Sequence, residues 1–542
     1  MQHRRRQPML AARRRAGRMC AGTVLVLVPA LALGATSCSG ARAPTPRKPV
    51  RWAAQTRAPA PAASVLAGSS ASVAAGVAQS LFSSAPVVIV TDACRAADLA
   101  AAAADAARAH APLLLAAGAP GGSAQTATTA TVTTTQAAGQ SCTAADPAIG
   151  ALRAQIRPLD PRVVLAVGVT GSQLAAQLPG LRVVTKPAQL PATGAPAPLR
   201  HVALLVRQGD ASAGTLAAAA TARVAGARVI GVSGYDPQAD PGAITALSAA
   251  QPRQVLALGG GFGPAAQLAW RIAVAETGRQ LPGGGQILFP MHRLVALYGC
   301  PGTPSLGALG QQGLRASITR ARMVAAPYRS LSTVPVIPAF EIIATVAEAH
   351  AGPNGDYSYQ APVAALRPWV RRATAAGLYV ILDLQAGRAS LLAQAKLYQS
   401  LLRLPDVGLA VDPEWKLQPG QLPLRQIGSV RIREVNSVIR WLAGLIAQYR
   451  LPQKLLVLHQ FRLSMIINEQ RLDTRYGDIA IVVHMDGQGS PGDKERTWQA
   501  VTGAAPAGVF FGWKNFYVKD HPMLTPQQTM ARTPQPVMIS YQ

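Results

Sequence analysis

The sequence predicts an α/β protein in two parts: a flavodoxin-like α/β region over residues 66–290, then a (β/α)8 TIM-type barrel over residues 291–542. Three observations carry that expectation. After residue 66, short apolar runs alternate with Ala-rich helical stretches, as in parallel strands joined by helical crossovers. The C-terminal half holds eight such runs in about 250 residues, the number and length of a closed barrel. Polar side chains gather where nearly every one of those eight runs stops, and barrels of this type hold their sites at the C-terminal strand ends.

The elements follow in chain order. Arg4, Arg5, Arg6, Arg13, Arg14, Arg15 and Arg18 precede the apolar run Thr23–Gly34, so residues 1–37 read as a signal peptide rather than a membrane span. Ala35-Thr36-Ser37-Cys38 resembles a bacterial lipobox with Cys38 lipidated; cleavage without lipidation is the alternative. Either reading places the mature chain outside the cytoplasm, lipid-anchored to the membrane or secreted. The formal charge is +28, and without the seven leader arginines it is +21. Export turns that basic surface toward envelope anions rather than nucleic acid. Of the cysteines beyond the leader, Cys94 and Cys142 are the expected disulfide, with Cys300 left over. Residues 38–65, rich in Pro and Ala, read as an extended tether.

In the α/β region the expected strands are Pro86–Thr91, Pro112–Ala116, Arg162–Val169, Arg182–Thr185, His201–Val206, Arg228–Val232 and Gln254–Gly259. Helices are expected over Ala96–Ala111 and Gly214–Ala225, and Ala124–Gln140 reads as a loop. Thr91-Asp92, Asp98-Leu99-Ala100, Ala111–Leu115 and Val163–Gly168 together resemble the type-two cell wall-binding repeat of Gram-positive surface proteins over about a hundred residues. That resemblance implies adhesion to the cell wall. Gly259-Gly260-Gly261-Phe262-Gly263 lacks the spacing of a dinucleotide loop or P-loop and reads as a tight turn.

The eight barrel segments are Arg293–Tyr298, Val336–Ile342, Leu378–Leu384, Val407–Val411, Lys454–His459, Ile479–His484, Gly508–Trp513 and Val537–Tyr541. Helical patterns lie between them, weakest after the fifth. Residues collected at their ends are Tyr298, Glu341, Asp383, Gln385, Asp412, Glu414, Trp415, His459, Gln460, His484, Asp486, Trp513, Lys514 and Tyr541. The most telling group is Asp412-Pro413-Glu414-Trp415. If the fourth strand continues through it, both acids share a face about 6–7 Å apart. Two neighbouring carboxyls raise each other's pKa, and an apolar wall such as Trp415 adds to the effect, so one stays protonated as a general acid. Glu414 is the expected acid and Asp412 its partner, with Asp383 and Asp486 as further catalytic candidates. The other residues, with Tyr357, Tyr359 and Phe516 as sugar-stacking aromatics, are expected to bind substrate.

Asp412 and Glu414 also resemble the fourth-strand Asp-x-Glu of barrel glycosidases of the chitinase and lysozyme type. There Glu is the acid, and in the chitinase type the substrate's N-acetyl group attacks. The resemblance implies hydrolysis of a cell-wall or envelope glycan without cofactor or metal. Two other functions fit the sequence: a noncatalytic wall-binding protein, and a metal-dependent hydrolase using His459, His484, Asp383, Asp412 and Asp486.

Overall fold

The computed structural model describes residues 52–116 and 149–542. The expected signal peptide, Cys38, Cys142 and the Ala124–Gln140 loop lie outside them. Among the described residues Cys300 is a free thiol, and no helix is long and apolar enough to cross a membrane.

The N-terminal part contains two four-stranded parallel sheets. One runs Leu113–Leu115, Val87–Thr91, Val163–Val167, Arg182–Val184 across the sheet, the second-first-third order of flavodoxin-like folds. The other runs Arg228–Val232, Val202–Arg207, Gln254–Leu258, Ala63–Leu66. Helices Ser70–Leu81 and Ala213–Val224 share one apolar core with strands of both sheets. Their Ala-rich faces allow close approach: a Cβ added at Gly214 would sit 2.7 Å from the Cα of Ser70. The Gly259–Gly263 segment is a tight turn, with φ of +108° at Gly259 and +77° at Gly263.

Part of the expected tether belongs to this fold. Trp52–Ala53 pairs with Thr193–Gly194, Gln55–Thr56 pairs with Phe82–Ser84, and Ala63–Leu66 completes the second sheet beside Gln254–Leu258. Backbone pairing with distant strands overrides the Pro- and Ala-rich composition of residues 52–65.

The C-terminal part is a closed barrel of eight parallel strands: Arg293–Gly299, Val336–Ala347, Tyr379–Leu384, Val407–Val411, Lys454–Gln460, Ile479–Met485, Phe510–Asn515 and Met538–Tyr541. The first strand closes the ring by pairing with both the second and the eighth. Helices follow the first seven strands except the fifth, where the chain makes short 3-10 turns at Leu463–Met465 and Glu469–Arg471.

Alternation along each strand sorts its residues. Val295, Leu297, Phe340, Ile342, Leu409, Leu456 and Ile539 face the surrounding helices, among them Val363–Ala375 and Ile432–Tyr449. Leu294, Ala296, Ile337, Ala339, Tyr379, Ile381, Ala410, Leu455, Val457, Val482 and Met538 fill the interior. Leu281, Leu288 and Phe289 of the segment entering the barrel join that inner cluster and stopper its N-terminal end. Gln453 locks them there, its Oε1 accepting from the backbone N–H groups of Leu288 (2.9 Å) and Phe289 (3.0 Å). Trp270 of the α/β region donates to Asp478 at the same end (3.1 Å). The opposite, C-terminal end carries the polar side chains.

Candidate active site at the barrel mouth

Above the apolar inner layers, the next inward position on every strand is polar. In strand order these are Tyr298, Glu341, Asp383, Asp412, His459, His484, Lys514 and Ser540, and all are buried. The register of the eight strands sets the ring: Tyr298 lies beside Glu341, His459 beside His484, and Lys514 beside Ser540.

His459 is the hub of this ring and is fully buried. Its Nε2 lies 3.0 Å from Glu341 Oε1 and 4.0 Å from Asp383 Oδ1, and its Nδ1 lies 3.2 Å from Asp486 Oδ2. Burial disfavours its charge, yet Glu341 and Asp486 outweigh that and hold its pKa well above the usual imidazole range. Its Nε2 is hydrogen-bonded to Glu341, while Nδ1 faces Asp486 without completing a hydrogen bond. His484, at a ring-centroid distance of 5.2 Å, is held neutral by burial and then by the charges of His459 and Lys514. Its Nε2 meets Ser540 Oγ at 3.1 Å. Tyr298 donates its hydroxyl to Asp383 Oδ2 (3.0 Å), accepts from Gln385 (3.2 Å), and lies under the Lys514 ammonium, 3.5 Å from ring centroid to Nζ.

Five carboxyls, Glu341, Asp383, Asp412, Glu414 and Asp486, share two cations, His459 and Lys514. Such crowding disfavours ionising them all, and the pKa values of Asp383, Asp412, Glu414 and Asp486 are pushed apart. Burial, then Glu341, raises Asp383 to about 6 against the pull of His459. Burial, then Asp383 and Asp486, raises Asp412 well above the carboxylate range. Burial, then the charge of Asp486, raises Glu414. Asp486 goes the other way: burial pushes it up, but the hydrogen bond and charge of His459 bring it below its ordinary value.

The Asp412–Trp415 segment is not a continuation of the strand. The fourth strand ends at Val411, and Pro413–Trp415 forms a 3-10 turn capped by Asp412, whose Oδ1 accepts from the Glu414 N–H (3.2 Å). Proline lacks the N–H to extend the ladder, and the Asp side chain caps the turn instead. Gly428 backs this turn, its N–H donating to Glu414 O (2.7 Å). Lys416 anchors the far side by donating to Ala389 O (2.7 Å). Both acids still face one hollow.

That hollow, about 280 Å³, opens at the barrel mouth and is lined by Tyr298, Gln385, Asp412, Glu414, Trp415, Asp486, Lys514 and Phe516, among others. A groove of about 410 Å³ adjoins it, sharing Glu414 and Trp415 and edged by Leu424, Arg425 and Arg462. Glu414 is half-buried at the junction of the two.

Several expected binding residues lie elsewhere. Glu341, His459 and His484 form the floor beneath the hollow. Asp383, expected to be catalytic, also lies under it, 0 % exposed. Gln460 points outward and donates to Glu469 (2.8 Å). Trp513 is 0 % exposed and packs on Trp498 of helix Pro491–Ala504, so it cannot stack on a sugar. Tyr541 faces outward and bonds Tyr328 (2.6 Å). Tyr357 stacks under Arg388, and Tyr359 sits half exposed on the short strand Ser358–Gln360; neither lines the hollow. Ser540 went unnoticed in the sequence; its parity with Met538 is the signal that would have found it.

Five buried polar atoms around this centre lack a hydrogen-bond partner among the described residues: Glu341 Oε2, Asp383 Oδ1, His459 Nδ1, His484 Nδ1 and Asp486 Oδ1. Such a concentration is uncommon in packed cores and singles this end of the barrel out as the candidate site. Among the described residues no group of three or more His, Cys, Asp or Glu is arranged to hold a metal ion. Comparison of the chain with family models, curated proteins and solved structures gives no match.

Proposed function

We propose that the barrel mouth hydrolyses a glycan of the cell envelope, with Glu414 as general acid and Asp412 assisting. The observation that carries the reading is the placement of Glu414. It is the half-buried carboxyl at the meeting point of hollow and groove, beside the Trp415 indole, with its pKa raised by burial and by Asp486. A general acid needs a carboxyl whose ionisation is disfavoured and that has access to the leaving oxygen. Asp412 holds the turn that aims it. Trp415 and Phe516 offer apolar faces for sugar rings. Arg425, Arg462 and Lys519 are exposed at the rim and favour a polymer that carries anionic groups.

Residues 1–37 and Cys38 support an exported, lipid-anchored protein, and the repeat-like residues of the first sheet support attachment to the wall. The basic rim also suits a noncatalytic wall-binding protein, the second reading. A metal-dependent hydrolase is less favoured, because both nitrogens of His459 already face carboxylates.

The test is release of soluble sugar from purified cell walls. Glu414→Gln is expected to lower the rate about 100-fold or more while the fold persists. Wild-type protein that releases nothing but sediments with walls would establish the binding reading instead. Loss of wild-type activity on chelation would move the case to the metal hydrolase.

A further inference from the structure

We propose that Asp486 is the second catalytic carboxylate of this site, the group that takes the proton of the attacking water, and that His459, clamped by Glu341, is the residue that positions it. This rests on the reading of Glu414 as the acid and goes beyond it by assigning the opposite half of the reaction.

Of the five clustered carboxyls, Asp412, Glu414 and Asp486 line the hollow. Asp412 commits Oδ1 to the Glu414 N–H, and burial raises its pKa well above the carboxylate range. Glu414 is the proton donor. Asp486 is 8 % exposed; Oδ2 faces His459 at 3.2 Å, and Oδ1 is buried without a partner. Asp486 also lines the hollow, so a carboxylate backed by the His459 imidazole stands at the cavity wall, as a general base requires. The Glu341–His459–Asp486 chain fixes the imidazole from behind, as the orienting acid of a hydrolase triad does. It differs in its last member: the imidazolium stabilises the base and is not itself the base.

The chemistry balances as follows. Glu414 gives its proton to the glycosidic oxygen, and the electron pair of the C1–O bond moves onto that oxygen as the bond breaks. Water forms a new bond to C1 and loses one proton to Asp486. The site then holds ionised Glu414 and protonated Asp486, and transfer of one proton through solvent from Asp486 to Glu414 restores it.

The experiment uses the whole mature chain with two substrates: the wall glycan, and an aryl glycoside of the released sugar with a strongly acidic phenol as leaving group. That phenol leaves without protonation, so Glu414→Gln should retain aryl glycoside turnover within about tenfold. Asp486→Asn should lose at least about 100-fold on both substrates. Sodium azide, a nucleophile that needs no base, should revive Asp486→Ala and yield the glycosyl azide. His459→Gln should lower kcat with KM little changed and move the acid limb of the pH profile upward. Near-UV circular dichroism checks each variant for folding. Folded Asp486→Asn within tenfold of wild type on both substrates, or a folded Asp486→Ala that azide does not revive, overturns the assignment while the Glu414 reading stands. Wild type inactive on every glycan removes that reading, and this assignment falls with it.

Discussion

Asp383 is a carboxyl that the fold holds against its own ionisation, and replacing it with asparagine should stabilise the protein in a pH-dependent way. Its pKa is raised from 3.8 to about 6, first by burial and then by Glu341. Between those values the folded state keeps a proton that the unfolded state has lost. Stability therefore falls as pH rises through this window and levels off above about 6. A shift of about two units corresponds to about 3 kcal/mol. Asparagine mimics the protonated form, and its oxygen still accepts the hydroxyl of Tyr298, now 3.0 Å from Asp383 Oδ2. Urea unfolding of wild type and Asp383→Asn, followed by near-UV circular dichroism, should coincide near pH 4 and diverge by about 3 kcal/mol in favour of the variant by pH 8. A variant equally stable to wild type at both pH values, or less stable at pH 8, would refute the electrostatic reasoning. Activity should fall despite the gain, because sites trade stability for function.

Three further outcomes are expected. A Cβ at Gly428 would sit 2.4 Å from Glu414 O and 2.5 Å from Lys416 O, so Gly428→Ala should displace the acid-bearing turn, destabilise by about 1–3 kcal/mol and lower kcat, read by thermal melts and sugar release. Asp520 pairs with buried Lys494 at 2.6 Å and accepts from Phe516 N (2.9 Å) and Gly489 N (3.1 Å); Asp520→Asn should destabilise by about 3–5 kcal/mol in urea titration, and a loss under about 1 kcal/mol would contradict the pairing. Lys454, 0 % exposed, has its pKa lowered to about 7 by burial against the attraction of Asp406. The unfolded state then binds the extra proton above that value, so stability should rise from about pH 7 toward about pH 10, and Lys454→Met should flatten that rise in melting temperatures.

The barrel was legible because its strands are buried on both faces and stand out as apolar runs between helical patterns; the eight expected segments are the eight strands, with ends shifted by two residues or fewer except in the second, which runs on five residues to Ala347. The mouth was legible only as a crowd. Reading each polar residue near a strand end as one set mixed inward Tyr298, Glu341 and Lys514 with outward Gln460, Trp513 and Tyr541, which the two-residue alternation separates. The pleat argument for Asp412 and Glu414 failed because Pro413 ends the strand; a capped turn brings both to the hollow instead. In the N-terminal part seven of the eight strands of the two sheets were visible, in two series, but Ala63–Leu66 was not, because which strand pairs with which is a nonlocal matter. Ala63–Leu66 shows this most clearly: four residues with tether-like neighbours become a sheet edge only when Gln254–Leu258 arrives beside them.

The plug of Leu281, Leu288 and Phe289 makes the barrel a blind well. On the glycan reading proposed above, a long polysaccharide would drape across the rim, along the trough that Arg425 and Arg462 border, instead of threading through, and cuts within a chain would be as accessible as cuts at its tips.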